Sequence, residues 1–160
     1  METSRVLAGI VTLATFYPCR AADTNTDRAD RLIAALEGTY KVSFVDGTVD
    51  GETYIATDSL TLARTSGSSI HFTLHLNFYN GHECNASGTA QYQANGEFVY
   101  HERFDKRECV LEIVPTEKAI MLRDPTGNCK INTCGLRGGY EGASFARSLR
   151  QPLTPSAAAR

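Results

Sequence analysis

The chain has 160 residues, 42% hydrophobic and 21% charged, with a formal net charge of −2. That length and apolar fraction suit one domain with a real core and exclude two ordinary ones. No apolar run of roughly 18 residues occurs, which excludes a stable membrane-spanning helix, and a net-negative chain without basic and aromatic interleaving is not expected to bind nucleic acid.

In chain order, residues 1–22 read as a signal peptide. Arg5 precedes an apolar run from Val6 to Tyr17, and Ala21 and Ala22 follow. The run has the length of an export signal's apolar region, and cleavage after either alanine fits. A short buried helix is the competing reading, because Glu2 offsets Arg5. A lipid anchor on Cys19 is disfavoured by the bulky Phe16, Tyr17 and Pro18 before it. The expected location is periplasmic or secreted.

Removing this segment leaves Cys84, Cys109, Cys129 and Cys134, an even number in an oxidising compartment, so two disulfides are expected. Three connectivities are possible. If Ala94, Asn95 and Gly96 form a hairpin loop with Gly96 left-handed, Tyr92 pairs with Phe98 and Ala90 with Tyr100. Cys84 then lies at the open end of that hairpin, near Cys109, which favours Cys84 to Cys109 and Cys129 to Cys134. A zinc site on Cys129 and Cys134 lacks the paired CxxC spacing, so no metal is expected.

Residues 23–37 form a polar segment and a short helix, with Thr26 as its cap and Ala29, Leu32, Ile33 and Leu36 as its apolar face. From Thr39 the period changes to two. Tyr40, Val42 and Phe44 alternate with polar residues, a strand spans about Thr53 to Arg64, and Phe72, Leu74, Leu76 and Phe78 alternate with His71, Thr73, His75 and Asn77. Further strands are expected near Asn85 to Gln93, Glu97 to Arg103, Cys109 to Val114 and Lys118 to Arg123, with Pro125 and Gly127 ending the regular part. Short connections of this kind predict an all-β fold over 38–150. It is read as a small antiparallel meander barrel or strongly curved sheet, with a short N-terminal helix and two disulfides. The tail 151–160 is expected to be disordered.

No nucleophile elbow, phosphate loop or dinucleotide fingerprint is present, and neither a cofactor nor catalysis is expected. His71 and His75 share a face but lie about 13 Å apart along a strand. With His82 and His101 they are read as a solvated polar face, and Asp58 as a bulge or outward position rather than half of an acid pair. Charge is uneven: residues 23–129 hold 9 Lys/Arg against 16 Asp/Glu, and residues 130–160 hold 5 against 1. An acidic body favours encounter with a cationic partner, although the basic segment folding back on it explains the asymmetry equally well.

The C-terminal part carries Gly127-Asn128-Cys129, Cys134-Gly135-Leu136-Arg137-Gly138 and Gly142-Ala143-Ser144-Phe145. Upstream stand Gly38-Thr39-Tyr40, Leu76-x-Phe78-x-Asn80-Gly81-His82 with Cys84, Gly88-x-Ala90, and Tyr100 before Cys109-Val110-Leu111. Over about Gly38 to Arg150 the chain resembles exported proteobacterial β-domains with a C-terminal Cys-Gly-x-Arg-Gly signature, some found in proteins labelled as lysozyme inhibitors. It departs from them in Leu136, where a small residue is usual, and in the spacing of the last cysteine pair. The resemblance implies a protein-binding module, an inhibitor of lysozyme or a similar cell-wall hydrolase, with a cationic exported protein as partner. Glycines around a pinned loop permit close backbone approach, and Arg137, Tyr140 and His82 are its candidate binding residues. A buried structural role for Arg137 is the alternative. The other classes are a lipocalin-like carrier of a small apolar ligand, a structural envelope protein without catalytic function, and a hydrolase built from His71, His75, His101 or Asp58.

Overall fold

The computed structural model describes residues 24–65 and 67–153; the expected signal peptide and residues 154–160 lie outside them. A helix, α1 (Asn25–Leu36), leads into strands β1 (Gly38–Gly47), β2 (Thr53–Arg64), β3 (Ser69–Phe78), β4 (His82–Tyr92), β5 (Phe98–Phe104), β6 (Arg107–Pro115) and β7 (Ala119–Arg123). A five-residue helix α2 (Cys129–Thr133), a short strand β8 (Ser144–Ala146) and a 3-10 turn (Arg147–Leu149) complete it. The strands pair antiparallel in chain order into one eight-stranded sheet. The sheet curls into a nearly closed barrel, as the alternating pattern predicts.

Local chemistry sets the elements. Thr24, not Thr26, caps α1: the Asp27 amide donates to the Thr24 hydroxyl oxygen and the Asp27 carboxylate accepts from the Thr24 amide, a reciprocal box. Ala29, Ile33 and Leu36 on one stripe are buried, so α1 plugs one end of the barrel. The Tyr40 hydroxyl donates to the Leu36 carbonyl at 2.6 Å, fixing the exit from helix to strand. Period-two burial then places Leu60, Leu62, Phe72, Leu74, Phe98, Leu111 and Ile113 inside. Each such side chain contributes about 1.5–3 kcal/mol by leaving water. The Asp58 carboxylate accepts from the Asn77 amide at 2.7 Å, just where the β2–β3 pairing has stopped at Ser59 opposite His75. It marks the point where those strands part.

The ladder is incomplete at two seams. Between β8 and β1, Gln151 exchanges both main-chain hydrogen bonds with Thr39, at 2.9 and 2.8 Å, so the chain stays ordered past the expected start of its tail. Between β4 and β5, Gly96 is left-handed and Tyr92 faces Phe98 as expected, but only Gln91–Val99 and Tyr92–Phe98 pair. The expected pairing of Ala90 with Tyr100 does not form. Tyr100 instead lies over Gly88, where a Cβ would sit 2.3 Å from its ring.

Residues 124–143 form a strap across the second seam, between the ends of β7 and β8. The disulfides are Cys84–Cys134 and Cys109–Cys129, which corrects the expected pairing. Because β4 and β5 separate, Cys84 is not brought to Cys109 by a continuous hairpin. Cys134 lies opposite Cys84 as an isolated β-bridge, and the Gly135 amide donates to the Glu83 carbonyl at 2.7 Å. Cys129, at the start of α2, joins β6. Neither α2 nor β8 is visible as a period in the sequence, since both are too short to show one.

Candidate functional site

The strap, the β1–β2 turn and the β3–β4 turn lie at the barrel end opposite α1, because successive antiparallel turns alternate between ends. Tyr79, in the β3–β4 turn, donates its hydroxyl proton to the Thr48 carbonyl at 2.8 Å, and the Asn80 amide donates to the Gly47 carbonyl. These bonds lock the two turns together. The Arg137 guanidinium stands over the Tyr79 ring, 5.4 Å from its centroid, a cation–π contact that joins the strap loop to both turns.

The loop from Cys134 to Gly139 is shaped by close packing. A Cβ at Gly138 would lie 2.6 Å from the Cys84 sulfur, and one at Gly135 would lie 2.7 Å from His82 Nδ1. The disulfide and the imidazole thus form the floor on which the loop rests. Its top is in solvent: Leu136 is 92% exposed and Arg137 is exposed. Val49 (62% exposed) and Tyr79 (44%) stand in the adjoining turns, and the cross-strand pair Val45 and Ile55 continues the apolar surface down the outside of β1 and β2. Large apolar side chains left in water at one end, beside an arginine, make this the candidate binding surface.

Of the expected binding residues, the structure brings Arg137 and His82 together at this loop but removes Tyr140. Tyr140 is 1% exposed, and its hydroxyl shares a hydrogen bond of 2.6 Å with that of Thr133. Burial pushes its phenol pKa up, partly offset by that bond. It is a core residue that anchors the strap, because the chain turns inward after Gly139. Leu136, Tyr79 and Val49 escaped the sequence reading. Leu136 carried a signal, as a large apolar residue within the glycine-rich stretch from Cys134 to Gly139. Tyr79 and Val49 carried none, since what makes them notable is that two turns meet the loop.

The other polar residues are engaged locally. His75 bonds to Asn85 across strands at 2.7 Å and His71 to Ser87 at 3.2 Å, while His101 pairs with Glu108 at 3.1 Å. They line outer faces and do not converge with Asp58. Arg150 in the basic tail segment donates to the Glu37 and Ala34 carbonyls, and Arg147 to the Thr116 carbonyl. The segment does fold back on the barrel, through main-chain carbonyls rather than carboxylates. Cys129 and Cys134 are consumed in disulfides, and no group of three or more His, Cys, Asp or Glu able to hold a metal occurs among the described residues.

The barrel interior is packed by Tyr40, Phe72, Phe98 and their neighbours. A recess of about 190 Å3 opens at the β4–β5 seam, between Ala86, Tyr100, Phe104 and Leu111. Tyr100 donates to Glu102 there, and burial followed by that bond raises its phenol pKa, so it stays protonated at physiological pH. No helix among the described residues is long and apolar enough to cross a membrane. Comparison with family models, curated protein sequences and solved structures finds no significant match.

Proposed function

We propose that the chain is an exported protein-binding module that inhibits a cell-wall hydrolase of the lysozyme type. The observation that carries this reading is the disulfide-floored loop with Leu136 and Arg137 in solvent. An apolar anchor beside a guanidinium, held by covalent and cation–π contacts, loses little conformational freedom on binding. Lysozymes work through two carboxylates in a cleft, and a projecting arginine complements such a cleft in shape and charge. The acidic body of the barrel assists the encounter with a cationic enzyme. Residues 1–22 and two disulfides fit export to the periplasm or beyond.

The test is an activity titration of c-type, g-type and i-type lysozymes with the oxidised protein at two salt concentrations. Inhibition that weakens with salt is expected for at least one type. Leu136→Ala and Arg137→Ala should each weaken it by about tenfold or more. No inhibition by a demonstrably folded protein would overturn the reading. The carrier reading has less to support it, since packed aromatic side chains occupy the barrel interior.

A further inference from the structure

Beside the exposed loop, a recess of about 310 Å3 opens between α2 and residues 137–141. Lys130 borders it from α2 and Arg137 from the loop. No ion pair joins either of them to another described residue, and Arg137 keeps its contact with the Tyr79 ring. Two acids also line the recess, and both are turned toward the backbone. Asp124, 5% exposed, accepts from the Cys129 and Lys130 amides, and Glu141 accepts from the Asp124 amide at 2.8 Å.

The two glycines in the wall differ. Gly138 is required by packing, since a Cβ there would overlap the Cys84 sulfur. Gly139 is not: the nearest atom to a Cβ there is Lys130 Cδ at 3.9 Å, an ordinary contact, and its backbone lies outside the left-handed region. Nothing local in the fold asks for glycine at 139. A larger side chain at this position would project beside Lys130 into the recess.

We propose that this recess is a carboxylate-binding subsite, with Lys130 and Arg137 as its cationic arms and Gly139 keeping it open. A guanidinium offers a carboxylate two parallel donors and an ammonium adds a point charge, the arrangement that binds one planar anion from two sides. Asp124 and Glu141 oppose the double charge concentrated on one phosphate group more than the single charge on one carboxylate group, which selects a carboxylate over a phosphate. The carboxylate comes either from an acidic side chain of a bound protein or from a small free acid. The first source rests on the hydrolase reading and names the group that Arg137 takes; the second does not depend on it.

Both sources are testable with the oxidised protein. The first arm is an NMR titration of backbone amides with glutarate, with uncharged glutaramide as the matched control; the second is the lysozyme titration above. The variants are Gly139→Val, Lys130→Gln and Arg137→Gln, with Gly139→Ala as a check that position 139 tolerates a side chain in the folded protein. If the acid is free, glutarate gives saturable shifts at Arg137 to Glu141, glutaramide gives none, and the first three variants weaken binding tenfold or more. If it belongs to a partner protein, the same variants weaken inhibition by that factor while glutarate binds poorly. A protein that inhibits lysozyme equally well with Gly139→Val and Lys130→Gln, and ignores glutarate, would overturn the subsite and leave the inhibitor reading standing. Glutarate binding without inhibition of any lysozyme would do the reverse.

Discussion

The two seams of the barrel are closed by different chemistry. Where β8 meets β1, the closure is polar: Gln151 pairs with Thr39, and Arg150 reaches the carbonyls of Ala34 and Glu37 at the end of α1. Where β4 leaves β5, the closure is covalent, a strap tied to β4 by Cys84–Cys134 and to β6 by Cys109–Cys129. The difference follows from what each seam has to pack. At the first, the buried stripe of α1 supplies apolar contact and hydrogen bonds need only finish the edge. At the second, a five-residue helix and a glycine-rich loop have few apolar side chains to bury, and disulfides replace the missing core. That replacement leaves Leu136 in solvent and Arg137 held only over the Tyr79 ring, so the seam closed by disulfides is also the one that presents the candidate binding surface.

Cutting the covalent seam should have the largest effect. Replacing Cys84 and Cys134 together by Ala is expected to cost about 2–5 kcal/mol, read as a lower urea midpoint. The same double change at Cys109 and Cys129 should act similarly, whereas an unchanged midpoint for both pairs would make the disulfides ornamental. Next comes the place where the strands part. Gly88→Ala sets a methyl group against the Tyr100 ring and should destabilise by about 1–3 kcal/mol through overpacking, largely relieved by Tyr100→Leu in the same chain.

The polar seam should yield less. Arg150→Ala removes two donors at an exposed site and is expected to cost about 1 kcal/mol, with hydrogen exchange quickening at Thr39 and in the last turn of α1 rather than at the strap. The smallest effect concerns the cap of α1. Hydrogen bonds from Thr24 hold the Asp27 carboxyl below the usual carboxylate range. A depressed acid stabilises the fold above its unfolded pKa, and that contribution is lost as pH falls through the lowered folded value. The stability difference between the protein and Asp27→Asn should therefore be constant near neutrality and begin to shrink below about pH 4. A difference that does not vary with pH would show that the box acts without its charge.

The sheet was legible in the sequence wherever one face is buried and the other wet. Phe72 to Phe78 and Tyr40 to Phe44 announce their strands by alternation alone, and Gly96 sets the register of its hairpin. What could not be read is where pairing stops. The departure of β5 from β4 depends on one ring, that of Tyr100, lying on one glycine, Gly88, and neither residue looks unusual in a one-dimensional pattern. The disulfide pairing expected from the sequence fails for the same reason, because it rests on a hairpin that does not continue. At the candidate site, Arg137 was visible through its glycine-rich setting and His82 through its turn. Tyr140 looked identical to an exposed anchor until its direction was known, and the neighbours Val49 and Tyr79, 30 residues apart in the chain, come from two turns that only the closed barrel brings to the loop.

On the proposed function, the covalent seam holds the binding loop in place. The most direct test is a titration of lysozyme activity with the oxidised protein beside the Cys84→Ser, Cys134→Ser variant, under conditions where circular dichroism shows both barrels folded. Inhibition by the first and at least tenfold weaker inhibition by the second are expected. Equal inhibition by both, or none by the intact protein against any lysozyme type, would contradict the proposal.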